Sequence, residues 1–98
     1  MSSFLDSLHA DLREAIQLIG VRIIVESGQA VFECGEPGTA LYIIEKGRAR
    51  VHDGDLVLNT LGEGDLFGEI AGLGGLPRTA SVTAEEDLTL LQVESDAL

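Results

Sequence analysis

Apolar residues recur at steps of three and four along the start of the chain: Leu5, Leu8, Leu12, Ile16 and Ile19, with Ala15 beside them. That spacing predicts one apolar stripe on a helix, or on a short turn followed by a helix, ending at Gly20. Asp11, Arg13, Glu14 and Gln17 fall on the opposite side. From Val21 the period shortens, and β-rich runs alternate with turn residues. The predicted strands are Val21–Val25, Gln29–Cys34, Leu41–Glu45, Arg48–His52, Leu56–Leu61, Ala80–Ala84 and Leu88–Val93. Between them stand Glu26-Ser27-Gly28, Gly35-Glu36-Pro37-Gly38, Lys46-Gly47, Asp53-Gly54-Asp55, Gly62-Glu63-Gly64-Asp65 and Glu85-Glu86-Asp87, all turn-forming. Asp53-Gly54 suits a type I′ hairpin. Strands arriving this regularly indicate an antiparallel roll or barrel and not a βαβ sheet.

Length and composition narrow the partners. A chain of 98 residues is one domain, residues 1–98, with a single modest core. Aromatics are scarce, so Val, Ile and Leu are expected to build that core. Six basic residues against seventeen acidic ones give a net charge of −11, which excludes a phosphate-backbone footprint and disfavours an anionic membrane. A single small anion is compatible with that charge, because one buried arginine outweighs distant, screened carboxylates. Cys34 is the lone cysteine and reads as a small buried hydrophobe. His9 and His52 stand far apart and unaccompanied, so no metal site is expected and each reads as a surface residue. No apolar run reaches the ~20 residues of a membrane span, and the expectation is a soluble, cytoplasmic domain.

The chemistry gathers between Phe67 and Val82. Gly68-Glu69-Ile70-Ala71 offers a place where a short helix begins, with backbone N–H groups that suit a phosphate. Gly72, Gly74 and Gly75 let the chain curl. Arg78, the only Lys or Arg after Arg50, presents a planar fork that matches two phosphate oxygens. A carboxylate such as Glu69 repels phosphate but accepts from a sugar hydroxyl, so the two together suit a ribose phosphate. An ion pair between Glu69 and Arg78 accounts for the same residues, and on spacing alone it is the better account.

The motifs in their order change that balance. Phe67-Gly68-Glu69-Ile70-Ala71 followed by Pro77-Arg78-Thr79-Ala80-Ser81-Val82 resembles the phosphate-binding cassette of the cyclic nucleotide-binding domain family. Gly28-Gln29-Ala30-Val31-Phe32, Gly35-Glu36-Pro37-Gly38, Leu41-Tyr42-Ile43-Ile44 before Gly47, and Leu61-Gly62-Glu63-Gly64-Asp65 are similar to the family's preceding strands and turns. The resemblance covers nearly the whole chain. It implies a mainly β fold: an antiparallel β-roll (double-stranded β-helix, jelly-roll-like) at 21–94, an N-terminal helical segment at 1–20, and a short helix in the cassette at 67–82. It further implies that Glu69 accepts from the ribose 2′-hydroxyl, that Arg78 pairs with the cyclic phosphate, and that backbone groups of Gly68, Ile70, Ala71 and Ala80 complete the cradle. Thr79 stands where a hydroxyl in relatives accompanies tolerance of guanine, and an ordinary β-strand threonine accounts for it nearly as well. The implied ligand is cAMP or cGMP, with no cofactor and no metal.

Two departures accompany the resemblance. Gly72 stands where relatives carry Leu, and relatives continue past the last strand into two helices, the second a lid over the base. This sequence reaches Leu98 before them, with Glu94-Ser95-Asp96-Ala97-Leu98 reading as a helix start. The expected function is a non-enzymatic regulatory module that senses a cyclic nucleotide and relays occupancy to an effector domain or partner. The alternative is a degenerate, ligand-free roll used for protein interaction.

Overall fold

The computed structural model describes residues 3–68 and 78–94, and within them one helix and eight strands. The helix α1 spans Ser3–Ile19 and stops at Gly20, whose N–H donates to the Ile16 carbonyl (2.7 Å). The strands are β1 (Val21–Val25), β2 (Ala30–Phe32), β3 (Ala40–Lys46), β4 (Ala49–Asp53), β5 (Leu56–Leu61), β6 (Leu66–Phe67), β7 (Ser81–Ala84) and β8 (Leu88–Glu94). They form two four-stranded sheets, ordered β1-β8-β3-β6 and β2-β7-β4-β5, with every pairing antiparallel. This interleaving of strands between two sheets is a jelly roll.

Period-2 alternation along β3 explains its central place. Ala40, Tyr42 and Ile44 point between the sheets, where they meet Ala49, Phe67, Val82, Ala84, Leu88 and Leu90. Leu41 and Ile43 point the other way and pack with Leu91, Val93 and Ile16 of α1. From Ala40 to Ile44 the strand is buried on both faces, and that part of its sequence reads as an unbroken apolar run. Across the same sheet Arg22 donates to both carboxylate oxygens of Glu45 (2.6 and 3.0 Å), and this hydrogen bonding holds the Glu45 carboxyl below its ordinary range. Arg22 is exposed and Glu45 only half-buried, so the pair adds little stability.

Several expectations are corrected. Ile19 is half exposed and Leu18 more so, so the helix's buried stripe ends at Ile16. The turn after β2 closes between Glu33 and Glu36, whose N–H donates to the Glu33 carbonyl (3.1 Å), two residues before the expected place. Cys34 therefore sits on a turn and is exposed, not buried. In the β4–β5 hairpin Gly54 takes a φ of +58° while Asp55, like every described non-glycine residue, has no positive φ, the pattern of a II′ turn and not of I′. His52 is half buried rather than exposed: its Nδ1–H donates to the Gly54 carbonyl (2.8 Å), leaving Nε2 to accept from the Thr83 hydroxyl (2.7 Å). The cassette helix and the helix start at 95–98 lie outside the described residues.

The two-sided core makes a testable claim. Ile16→Ala should lower unfolding free energy by about 2–5 kcal/mol, because it empties a fully buried site beneath Leu41 and Ile43. Leu18→Ala, on the same helix but exposed, should change it by less than about 0.5 kcal/mol. Urea denaturation of the two variants checks both.

Candidate functional site

Four strand ends meet at one end of the roll. In the first sheet, β6 ends at Phe67 beside Tyr42, near the start of β3 at Ala40. In the second, β2 ends at Phe32 opposite Val82, near the start of β7. The chain leaves the first sheet at Gly68 and enters the second after Arg78, Thr79 and Ala80. β6, only two residues long, was not among the predicted strands. Leu66 and Phe67 are too few for a period to register, and the pairing with Tyr42 and Ile43 that makes them a strand lies more than twenty residues away in sequence.

Arg78 ties the two sheets together. Its side chain is buried, the residue being 4% exposed. One terminal nitrogen (Nη1) donates to the Gly68 carbonyl (3.1 Å) and the other (Nη2) to the Ala40 carbonyl (3.0 Å), both on the first sheet's side. Its backbone is fixed on the other side: the Arg78 N–H donates to the Glu36 carbonyl and the Gly35 N–H donates to the Arg78 carbonyl, each at 2.8 Å. One residue beyond this pair, the Cys34 N–H donates to the Ser81 hydroxyl (2.9 Å) and continues the seam between the turn and β7.

What the guanidinium lacks is as informative as what it has. Among the described residues its Nε has no acceptor and no carboxylate forms an ion pair with it. An arginine is rarely buried without a counter-charge, since removing it from water costs several kcal/mol. Phe32 partly offsets that cost, with the Arg78 Cζ lying 4.1 Å from the ring centroid. Two glycines make the space. A Cβ on Gly38 would lie 2.6 Å from the Arg78 Cζ. Gly68 has a φ of +87°, and a Cβ there would meet the Ala40 carbonyl at 3.0 Å and Nη1 at 3.2 Å.

Of the expected ligand-binding residues, Gly68, Arg78, Thr79 and Ala80 are brought to this end of the roll, with Thr79 exposed and Ala80 half buried. Glu69, Ile70 and Ala71 lie outside the described residues, and so does the ion pair between Glu69 and Arg78. The arrangement as described offers one fixed guanidinium with no counter-charge among the described residues, which suits a small anion. Among the described residues no group of three His, Cys, Asp or Glu is placed to hold a metal. No described helix is long and apolar enough to cross a membrane. Phe32, Gly38 and the Ala40 carbonyl were not singled out from the sequence as parts of a site. Gly38 carried a turn signal only, and nothing local marks Phe32 as the ring beneath Arg78.

Comparison with known proteins supplies the context. The family model described as the cyclic nucleotide-binding domain matches residues 22–98. A cAMP-dependent protein kinase regulatory subunit from Yarrowia lipolytica is 45% identical over 75 residues, which are 74% of this chain and 20% of that protein. The chain thus spans about a fifth of that relative's length. The cAMP-bound EAL enzyme Bd1971 superposes with a TM-score of 0.72 at 38% identity, covering 78% of this chain and 22% of that one. The Thermus thermophilus catabolite activator protein does so with 0.74 at 32% identity, covering 89% and 42%.

Gly38→Ala tests the described geometry directly. The new methyl collides with the guanidinium and not with backbone, so the fold should hold. Displacing the group nevertheless gives up two carbonyl hydrogen bonds of about 1.5–3 kcal/mol each, and the thermal midpoint should fall by about 10 °C or more. The guanidinium should be displaced, which an Arg78 Nε–H resonance moved toward the solvent-exposed arginine position would report.

Proposed function

Because the chain belongs to the cyclic nucleotide-binding domain family, we propose that it is a binding module for a 3′,5′-cyclic nucleotide, cAMP or cGMP. The observation that carries this reading is Arg78: buried, fixed by backbone on two sheets, and without a carboxylate partner or an acceptor for its Nε among the described residues. In this reading the cyclic phosphate docks on Arg78, and backbone groups of Gly68, Ile70, Ala71 and Ala80 close around it. Glu69 accepts from the ribose 2′-hydroxyl, and Thr79 lies where its hydroxyl meets a guanine. The bound forms of Bd1971 with cAMP and with cGMP support keeping both ligands in view.

The module binds its ligand and does not transform it, and in a longer protein it relays occupancy to an effector. Arg78 is suited to that role because Gly68, Ala40 and the turn at Glu36 all hang on it. A ligand that draws the guanidinium toward itself pulls on both sheets at once.

Titration with a fluorescent cyclic nucleotide tests the reading. Wild type should saturate, and Arg78→Ala should weaken binding by about 100-fold or more, the loss of two charge-assisted hydrogen bonds at about 1.5 kcal/mol each. Arg78→Lys should fall between, since an ammonium keeps the charge and loses the fork. Failure of wild type to saturate at about millimolar ligand would sink the proposal and favour a ligand-free interaction module, whose melting temperature neither nucleotide raises.

A further inference from the structure

Three of the chain's four aromatic residues gather under Arg78. Tyr42 and Phe67 stack with ring centroids 5.0 Å apart and planes 15° from parallel. Phe32 leans on both, at 6.0 and 6.1 Å. They come from β3, β6 and β2, so the cluster spans both sheets at the end of the roll where the guanidinium sits. Phe32 alone among them is recorded facing the charge.

We propose that Phe32 is a positioning residue for Arg78, a seat that holds the guanidinium in place for an incoming anion; this rests on reading Arg78 as the phosphate ligand. Arginine is long and has many rotamers, and ordering it at the moment of binding costs affinity. Two carbonyls fix its terminal nitrogens, but hydrogen bonds at two points leave the plane free to tilt about the line between them. A ring beneath the plane removes that freedom. The ring's negative face also stabilises the cation where water is excluded, and it does so without occupying an N–H. Among the described residues the buried Nε is thus left without an acceptor, which a carboxylate partner would not permit. An aliphatic residue of similar size fills the same volume and supplies neither effect.

The test compares Phe32→Leu, Phe32→Trp and Val31→Ala, the last a half-buried neighbour on β2 that packs into the same core. Two readouts are taken: cyclic-nucleotide affinity, and the Arg78 Nε–H resonance of the ligand-free protein. Phe32→Leu should weaken binding about tenfold and abolish the ring-current shift of that resonance. Phe32→Trp should restore both to within about threefold and to an upfield position. Val31→Ala should lower the thermal midpoint while leaving affinity and resonance near wild type, which separates positioning from general packing. Phe32→Leu with wild-type affinity or an unmoved resonance overturns the proposal. Wild type that binds no nucleotide, yet shows a ring-shifted resonance lost in Phe32→Leu, keeps the seat and overturns the nucleotide reading instead.

Discussion

A guanidinium buried between two β-sheets is the constraint to which this end of the roll answers. Water would hydrate Arg78 on all five of its N–H donors. Among the described residues, two of those donors meet carbonyls, the buried Nε meets no acceptor, and one ring face lies against the group. Hydrogen bonds to a charged group contribute about 1.5–3 kcal/mol each, and an unsatisfied buried donor costs about 1–3 kcal/mol. Such an arrangement is poor as a device for stability, where a well-packed apolar side chain serves as well or better. It is a good device for binding, because an anion supplies the missing acceptor and the counter-charge together. Local conflict of this kind, in a chain otherwise consistent between pattern and fold, is where function is expected to sit.

The jelly roll makes the arrangement possible by topology. Apart from the β4–β5 hairpin, consecutive strands alternate between the sheets, so the ends of β2, β3, β6 and β7 converge although they are spread over some fifty residues. No local segment supplies the site. The acceptors come from the start of β3 and the end of β6, the ring from the end of β2, and the charge from the approach to β7. Burial of β3 on both faces fixes the Ala40 carbonyl, since that strand is held by the inner core and by α1 at once. The helix, far from the chemistry, thereby contributes to where an acceptor stands.

How much was legible in the sequence follows from the range of each interaction. The periods of α1 and of seven strands are local, and their places in the chain were readable to within a residue or three. Leu66 and Phe67 become a strand only by pairing with β3, and so escaped notice. Cys34 alternates correctly with Phe32, but the turn at Glu33–Glu36 intervenes and lifts it into solvent. Arg78 stood out through charge alone, as a lone cation in an acidic half. Its two carbonyl acceptors and its ring have no side-chain signature at all or only an ordinary one, and Gly38 carries a turn signal that hides its second role as space for the guanidinium. A pattern of residue types reports which group must be held, while the groups that hold it belong to the topology.

On the proposed reading, the overall charge would give this single arginine a selectivity of its own. Seventeen acidic residues against six basic ones surround any anion with a repulsive field, screened over about 8 Å at physiological ionic strength. One guanidinium compensates one negative charge. A phosphodiester ring carries a single charge and is fully matched on docking, while an open phosphate monoester carries between 1.5 and 2 at neutral pH. The surplus would be left without a partner in a buried setting, where an uncompensated charge is costly. On the proposed reading, a site with one arginine on an acidic roll would favour a cyclic phosphate over its hydrolysed product by charge alone, before any contact with sugar or base is counted.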